Sequence, residues 1–352
     1  MKRIITLTLA VLLVLSMVLI MSGCQGEQGV PGEKGDDGVS IIKTEVIDGY
    51  LWITYSNDPE NLVNAGKVSS DAQEDTQEGT DGLDYYPLPD GTYGVKAGKT
   101  LYLEHIEIPS TYKGKAVTQI LRGAFGESEN LKTITIPDSV ISIGNSAFSG
   151  CSSLTSIVIP DSVGSIGSFA FDSCISLTSV TIGNGVTSIG NFAFYGCSSL
   201  TSIVIPDSVT SIGQYAFHNC SSLRSVIIGN GVTSIGDYAF QYCSKLTSVT
   251  IGNGVTSIGN FAFSGCSSLT SIVIPESVTS IGDGAFRECS SLTSIVIPDS
   301  VTSIGSYAFD SCNSLETIYY TGTEEEWNLV EKFSAYIPDF CTIVFNYTPE
   351  EA

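Results

Sequence analysis

Cysteine is the residue type in this chain with the widest chemical range, and eight of the ten cysteines recur at one fixed spacing. A thiol can form a disulfide, bind a metal or act as a nucleophile. If each spacing unit is one coil of a repeat structure, successive cysteines lie about 5 Å apart, within the Cα separation of a disulfide. The series has a period of 23 residues and contains Cys151, Cys174, Cys197, Cys220, Cys243, Cys266, Cys289 and Cys312.

Three roles are open to these cysteines. Side chains in a stacked ladder run parallel, which disfavours the torsion that a disulfide requires. No C-x-x-C pair or Cys/His cluster predicts a zinc site. Because cysteine is also a small buried apolar residue in many cores, the pattern favours buried free thiols over disulfides, and both over a metal site.

Other catalytic patterns are missing from the sequence. The two histidines, His105 and His218, have no recurring acidic partner. There is no G-x-S-x-G elbow, phosphate-binding loop or paired-carboxylate signature. We therefore expect a protein that is not an enzyme and that uses no cofactor and no metal.

The elements that position these residues follow the same period. Phenylalanine recurs every 23 residues from Phe125 to Phe309, in nine copies. A fixed period of this length predicts a solenoid, in which each coil buries its apolar face against its neighbours. Nine coils stacked at about 4.8 Å give a parallel sheet about 40 Å long.

One coil shows how the pattern predicts structure. Leu200, Ile203 and Ile205 have the spacing L-x-x-I-x-I of a short strand with one buried face. Pro206 or, in other coils, a glycine ends that strand, since proline lacks the N–H for a ladder and glycine tolerates positive φ. A second leg follows in which Ile212 points inward.

These residues resemble the BspA-like leucine-rich repeats, whose pattern is close to L-x-x-I-x-I-P-x-S-V-x-x-I-G-x-x-A-F-x-x-C. The resemblance covers residues 106–318, and the first coil departs from it with Leu121 at the glycine position and Ser128 at the cysteine position. It implies a leucine-rich-repeat solenoid with a parallel β-sheet on one face, 23-residue coils and β-rich N-terminal and C-terminal caps. Members are typically bacterial surface or secreted proteins that bind host matrix components, host receptors or other bacteria, so the resemblance implies an extracellular protein or glycan partner.

The N-terminus carries an export pattern. Lys2 and Arg3 precede an apolar run that ends in Ser22-Gly23-Cys24, which predicts a signal peptide over residues 1–23. The last residues resemble the lipobox of bacterial lipoproteins, with Met21 where leucine is usual, and this resemblance implies lipidation of Cys24. The alternative is an uncleaved anchor, since about 18 apolar residues can just span a bilayer. Both interpretations place the remainder on the extracellular face of a bacterial membrane.

Five further segments are predicted from composition and pattern. Residues 24–39 combine the lipidated cysteine with a collagen-like spacer that has glycine at every third position. Residues 40–68 predict a β-hairpin that turns at Asp48-Gly49. Residues 69–82 are acidic and lack large apolar groups, which predicts a disordered linker. Residues 83–110 predict cap strands that turn at residues 89–91, and residues 319–352 a closing cap in which Trp327 covers the last coil.

The net charge of −22 restricts the partners. No basic stripe exists to neutralise phosphate, which argues against nucleic acid and against anionic lipid headgroups as ligands. The polar surface is instead supplied mainly by serine, threonine, asparagine and glycine. Such a composition suits extracellular display.

Three rows of residues are candidates for a binding surface. An aromatic row just before each Ala-Phe pair offers ring area to a protein or carbohydrate, although ring packing alone would also explain it. The position after each Ala-Phe pair varies most, which predicts solvent exposure and is compatible with specificity or with drift. The outward strand positions form a flat uncharged face, which β-propensity alone would also explain. The aromatic row contains Phe169, Phe192, Tyr215, Tyr238, Phe261 and Tyr307; the variable row Asp172, Tyr195, His218, Gln241, Arg287 and Asp310; and the strand row Thr135, Val158, Thr181, Val204, Ile227, Thr250, Val273 and Val296.

The sequence thus predicts a lipid-anchored surface protein that displays a solenoid for adhesion or recognition without catalysis. A structural or scaffolding protein of the cell envelope is the alternative. An ordered Ser/Thr face that binds ice or crystalline polysaccharide is a third hypothesis, weakened because valine and isoleucine interrupt the threonine positions of the strand row.

Overall fold

The computed structural model of the 352-residue chain describes residues 41–47, 50–55 and 58–67 as backbone, and residues 79–348 with their side chains. The chain divides into two units, Met1–Glu74 and Asp75–Ala352. The predicted signal peptide, Cys24 and the glycine-rich spacer lie outside the described residues, as do residue 68, residues 69–78 of the predicted linker and residues 349–352.

The first unit contains a three-stranded antiparallel sheet in the order β1-β2-β3. Strand β1 pairs with β2 from Ile47 opposite Tyr50, on either side of the predicted Asp48-Gly49 turn. The predicted two-stranded hairpin over residues 40–68 was incomplete, because β3 pairs with β2 as well. No apolar alternation marks β3, and its pairing with β2 includes two register shifts. The strands are β1 (Ile41–Ile47), β2 (Tyr50–Tyr55) and β3 (Asp58–Lys67).

The second unit is a parallel β-solenoid of about 11 turns in which each turn has two short strands. The first-leg strands are β6 (His105–Glu107), β9 (Thr133–Thr135), β11 (Ser156–Ile159), β13 (Ser179–Ile182), β15 (Ser202–Ile205), β17 (Ser225–Ile228), β19 (Ser248–Thr250), β21 (Ser271–Val273), β23 (Ser294–Ile297), β25 (Thr317–Tyr320) and β27 (Thr342–Val344). The second-leg strands are β8 (Lys115–Ile120), β10 (Ser142–Ile143), β12 (Ser165–Ile166), β14 (Ser188–Ile189), β16 (Ser211–Ile212), β18 (Ser234–Ile235), β20 (Ser257–Ile258), β22 (Ser280–Ile281), β24 (Ser303–Ile304) and β26 (Glu331–Lys332). The N-terminal cap adds β4 (Asp84–Pro87), β5 (Tyr93–Lys96), a 3-10 turn (Gly98–Thr100) and β7 (Thr111–Tyr112).

The continuous sheet lies on the second leg. It has 13 strands: twelve run in order from β26 through the other second-leg strands to β8, β5 and β4, and β7 pairs with β8 beside that path. Most of its coils contribute two residues, a half-buried serine and a buried isoleucine, in register as Ser188 opposite Ser211. The sequence predicted its parallel sheet on the first leg alone. The second leg forms the longer sheet because its corner glycine keeps an N–H, which in Gly213 donates to the Ile189 carbonyl at 2.9 Å.

The first-leg strands form four separate sheets: β6-β9, β11-β13, β15-β17-β19 and β21-β23-β25-β27. Each of the three breaks occurs where the following coil ends its strand with proline, at Pro160, Pro206 and Pro275. In one coil with glycine at that position, the Gly229 N–H donates to the Ile205 carbonyl at 2.9 Å. Proline has no such donor. Coils that end in Pro137 and Pro298 stay paired with the preceding strand, but only over three residues.

Stacked identical side chains fill the interior. Neighbouring rings of the Phe125-to-Phe309 series lie 5.0–5.9 Å apart between centroids and are parallel within 7°. The eight repeat cysteines are buried and free. Each thiol donates to the carbonyl of the phenylalanine 26 residues earlier, at 3.0–3.3 Å. A buried backbone acceptor is thus satisfied by a side chain that is otherwise apolar.

Both predicted caps are themselves coils, so the solenoid extends beyond the nine sequence repeats. Strand β5 pairs with β4 antiparallel and with β8 parallel. Residues 79–82, the end of the predicted linker, pack here, with Thr80 N donating to the Glu107 carbonyl. At the other end helix α1 (Glu324–Leu329) begins with a capping box between Thr323 and Glu326. Trp327 is 4% exposed and packs on Tyr320, and β26 and β27 continue both sheets.

Two further properties bear on function. None of the helices among the described residues combines the length and apolar character needed to cross a bilayer. Nor does any group of three or more His, Cys, Asp or Glu side chains in the described part of the chain have the placement of a metal site.

Candidate surface site on the solenoid

The predicted aromatic row divides into a five-ring stack and a separate pair. Successive rings of the stack are 4.6, 4.7, 4.5 and 5.1 Å apart between centroids and parallel within 7°. Gly284 then interrupts the row, and Tyr307 stacks instead on Tyr336 of the C-terminal cap at 5.0 Å. We call the five-ring stack the aromatic ladder; it consists of Phe169, Phe192, Tyr215, Tyr238 and Phe261.

The ladder presents ring edges, not ring faces, to solvent. Each internal ring has a neighbour against both faces, so only its edge and any hydroxyl face outward. At the C-terminal end the face of Phe261 lies over Gly284. A Cβ added to Gly284 would lie 2.3 Å from Phe261 Cε1. Phe169, at the other end, is the most open ring and is 40% exposed. The ladder is therefore a ridge of half-buried edges.

Every ladder residue has a left-handed backbone, with φ between 54° and 59°. This conformation is uncommon for non-glycine residues and costs of order 1–3 kcal/mol when the side chain is bulky. Ser146 and Gly284 hold the same position in other coils at φ 56° and 57°. The corner is maintained by the main chain, as where Phe192 N donates to the Gln214 carbonyl at 2.9 Å. Serine and glycine therefore form this corner in other coils, and an aromatic ring is not required for its backbone conformation.

The variable row is aromatic in its middle and polar at its ends. Tyr195 and His218 stack at 4.8 Å, within 3° of parallel. Their rings are tilted by 49° and 52° to the adjoining ladder rings Phe192 and Tyr215. Toward the C-terminus, Arg287 Nε bonds to Asp310 Oδ2 at 3.0 Å. Toward the N-terminus, Asp172 accepts a hydrogen bond from Ser149 Oγ at 3.2 Å.

Tyr242 completes this surface and was missed by the sequence reasoning. Its ring meets that of His218 edge-on at 5.6 Å, and its side chain is 46% exposed. It also has a left-handed backbone, with φ 60°. The available signal was a single aromatic residue in a row otherwise made of Glu127, Gly150, Ser173, Gly196, Asn219, Gly265, Glu288 and Ser311. We define the aromatic patch as Phe192, Tyr195, Tyr215, His218, Tyr238 and Tyr242.

The patch is uncharged near neutral pH. Burial lowers the pKa of His218, and its hydrogen bond with Gln241 opposes that effect. Its Nδ1 is buried and has no hydrogen-bond partner among the described residues. Burial also raises the pKa of Tyr215, an effect to which Tyr238 and Asp237 add. Tyr215 therefore retains its proton and can donate a hydrogen bond.

The strand row is a second, flatter surface. Its exposed apolar members reach 63% exposure at Val158, but Val296 is buried at 9%, so the exposed row ends before the last coils. Two shallow grooves of about 560 Å³ lie on this side. One spans the break between β13 and β15 and includes Val204 and Pro206; the other includes Val273 and Pro275, beside the break before β21. Polar side chains line both grooves as well as apolar ones: Asn184 and Asp207 in the first, and Asn253 and Glu276 in the second.

The fold and these repeated surfaces define a class of protein, the β-solenoid built from leucine-rich coils. The sequence model of a protein family, the BspA type leucine rich repeat region, matches residues 98–224 and 210–329 in six copies. The chain belongs to this family.

Solved structures with related repeats come from several bacteria. The chain is similar to a leucine rich cell surface protein from Faecalibacterium prausnitzii, with 25% identity over 75% of this chain and 99% of that one and a TM-score of 0.38. It is similar to a leucine rich repeat protein of T. pallidum, with 25% identity over 66% of this chain and 88% of that one and a TM-score of 0.42. A leucine-rich repeat protein from Bacteroides ovatus has 24% identity over 76% and 98% of the two chains and a TM-score of 0.32. No curated protein matches the chain.

Proposed function

We propose that this chain is a bacterial surface protein that recognises an extracellular partner through the aromatic patch, without catalysis. The main support is that six coils place a bulky aromatic ring on a strained, left-handed backbone corner. In other coils the same corner is formed by serine or glycine. Strain of this kind is concentrated at functional sites. The cell-surface description of the F. prausnitzii relative supports the proposed location.

A protein partner fits the patch better than a glycan. A sugar ring stacks on the face of an aromatic side chain, and the inner ladder rings have both faces covered by their neighbours. Ring edges and hydroxyl groups instead offer contact area and hydrogen bonds of the kind found in protein interfaces, where tyrosine is enriched.

The test is binding of the soluble chain from Gln25 to arrays of extracellular-matrix proteins, mucins and glycans. The variant F192S/Y215S/Y238S removes three rings, and Ser146 shows that serine is accepted at this corner. A matched control, V158S/V204S/V273S, changes three exposed residues of the strand row. Saturable binding that is lost only in the ring variant, with circular dichroism unchanged, is the expected result.

Other outcomes would overturn the proposal. Loss in the control variant alone would transfer the site to the strand face and its grooves. Absence of saturable binding to every array member would favour a scaffolding role in the cell envelope, in which the ladder contributes only packing.

The proposed anchor is a lipid on Cys24, which would hold the chain at the extracellular face of the membrane. Metabolic labelling with a radioactive fatty acid in a bacterial host should label the wild-type chain and leave C24S unlabelled. Label retained in C24S, or a membrane-bound C24S chain with an intact N-terminus, would show that the apolar segment itself serves as the anchor.

A further inference from the structure

We infer that the partner of the aromatic patch is a basic, proline-rich segment in the polyproline II conformation. This inference rests on the proposed function and adds the chemical class of the ligand. The argument has three parts: the spacing of the ladder, the hydrogen-bonding groups on its edge and the charges beside it.

The spacing of the ladder matches the repeat of polyproline II. This helix has 3 residues per turn and rises 3.1 Å per residue, which gives about 9.3 Å per turn. Two ladder steps, of 4.6 and 4.7 Å, join Phe169 to Tyr215, and two more, of 4.5 and 5.1 Å, join Tyr215 to Phe261. A polyproline II segment that lies along the ladder would therefore repeat the same contact at every second ring, over about two turns.

The edge of the ladder supplies the groups that such a segment needs. Polyproline II has no internal hydrogen bonds, so its carbonyl groups are free to accept. Tyr215 and Tyr238 carry hydroxyl groups on neighbouring ladder positions, and these are hydrogen-bonded to each other, which leaves one O–H of the pair to donate to a partner carbonyl. Proline-rich segments dock on aromatic side chains, and a preformed helix loses little entropy on binding. On the ladder the proline rings would contact ring edges, because neighbouring rings cover the faces of the inner rings.

Charges beside the ladder select a basic segment. The rows on either side carry Asp172, Asp237 and Asp283. Two of these carboxylates are fixed in place, since Asp237 Oδ1 accepts from Asn260 N at 2.8 Å and Asp283 Oδ1 from Ser306 N at 2.7 Å. The single arginine of these rows, Arg287, is engaged with Asp310 at 3.0 Å and Glu288 at 3.6 Å. A partner that carries lysine or arginine beside its prolines therefore complements the patch.

The test is fluorescence anisotropy with a labelled peptide of about nine prolines and a lysine at each end, added to the soluble chain from Gln25. Two control peptides isolate conformation and charge: a Gly/Ser peptide with the same lysines, and the proline peptide with glutamates in place of lysines. We expect saturable binding of the first peptide and at least about tenfold weaker binding of both controls.

Three variants assign the contacts, and a fourth serves as the control. Y215F/Y238F keeps the ring stack and removes both hydroxyls, and it should weaken binding about tenfold. D237N/D283N should weaken binding and flatten its salt dependence, because it removes two charges that attract the lysines. F192S/Y215S/Y238S should abolish binding, while V158S/V204S/V273S should leave the affinity unchanged.

The results separate the two proposals. Equal binding of the Gly/Ser peptide, equal binding of the glutamate peptide, or full affinity in the three-serine variant would overturn the polyproline inference. If the peptide fails to bind while array binding still depends on the ladder rings, the inference is wrong and the proposed function stands. If array binding is independent of the rings, the proposed site is wrong as well.

Discussion

At the scale of single residues, each repeat cysteine combines two properties that make it structural and chemically inert. Its thiol donates to a phenylalanine carbonyl of the preceding coils, and it has almost no exposed surface. Burial raises the pKa of Cys243 to about 12 and, by the same cause, that of Cys312 to about 12. The reactive form of cysteine is the thiolate. At physiological pH the row is therefore an uncharged part of the core.

This predicts selective thiol labelling in a chain from which Cys24 has been removed. In native protein at about pH 8, an aromatic disulfide reagent should modify only Cys341, which is half-buried, among the nine cysteines that the structure describes. All nine should react after denaturation. Because burial raises the pKa of the repeat thiols, raising the pH to about 9 should still leave them unmodified. Rapid native labelling of more than one thiol, or fewer than nine after denaturation without reductant, would contradict the buried-thiol arrangement.

Ser128 occupies the position that cysteine holds in the following coils. It replaces cysteine in the first coil and is fully buried, and no hydrogen-bond partner of its Oγ is present in the described part of the chain. An unsatisfied buried hydroxyl costs about 1–3 kcal/mol. S128A should therefore raise the Tm by about 2–4 °C in a thermal melt.

The matched control for that melt is S162A. Ser162 Oγ donates to the Val140 carbonyl at 2.6 Å, so its loss should lower the Tm. A lowered Tm in both variants would mean that Ser128 makes a stabilising contact.

At the scale of the elements, the corner glycine sets how closely successive coils stack. A Cβ on Gly213 would lie 2.6 Å from Asn191 N of the preceding coil. Because a main-chain atom cannot yield as a flexible side chain can, G213A should destabilise the protein by about 1–3 kcal/mol in chemical denaturation.

Gly164 is the matched control. Its added Cβ would meet nothing closer than the Ile141 carbonyl at 3.8 Å, and its backbone is not left-handed. G164A should therefore be neutral or stabilising by about 0.4–1 kcal/mol. Equal destabilisation by the two substitutions would indicate that the corners do not limit coil spacing.

The sequence predicted those elements that carry a strong apolar signal. Leu200, Ile203 and Ile205 lie on the buried face of the first leg, and the stacked phenylalanines form the core as expected. The second-leg sheet was not predicted, because a two-residue strand of serine and isoleucine is too short to show alternation. The first-leg breaks depend on whether Pro206 or Gly229 occupies one position, which the pattern treated as equivalent chain ends.

The candidate site was predictable in composition but not in geometry. The spacing identified the aromatic row, yet nothing in residue preference marks a left-handed backbone at Phe192 or Tyr242, since glycine and asparagine favour it. Only the three-dimensional arrangement shows that Gly284 ends the ladder or that Tyr195 stacks on His218.

At the scale of the whole solenoid, each coil contacts mainly its neighbours, so stability should behave as a sum of coils and interfaces. Deletion of residues 198–220 removes one period and rejoins Cys197 to Ser221, which restores the C-S-S-L sequence. The shortened chain should remain folded and monodisperse, with a smaller denaturant m-value because less surface is exposed on unfolding.

Deletion of residues 319–348 is the comparison. It uncovers the last coil, including Leu315 and Ile318, both of which are fully buried in the intact chain. This variant should aggregate in size-exclusion chromatography, since an exposed end coil presents apolar side chains and unpaired strand edges. If the internal deletion unfolds the chain as completely as loss of the cap, the coils are not independent units.

The uneven hydrogen bonding of the two legs also has a mechanical consequence. One side of the solenoid is tied along its length by the 13-stranded sheet, while the other is cut at Pro160, Pro206 and Pro275. Single main-chain bonds still join the coils at two of these breaks, from Thr155 N to the Lys132 carbonyl at 3.1 Å and from Thr201 N to the Thr178 carbonyl at 3.3 Å, but the strand ladder is interrupted there. We therefore expect the solenoid to bend more easily in the direction that opens the first-leg side than in the direction that opens the second-leg side.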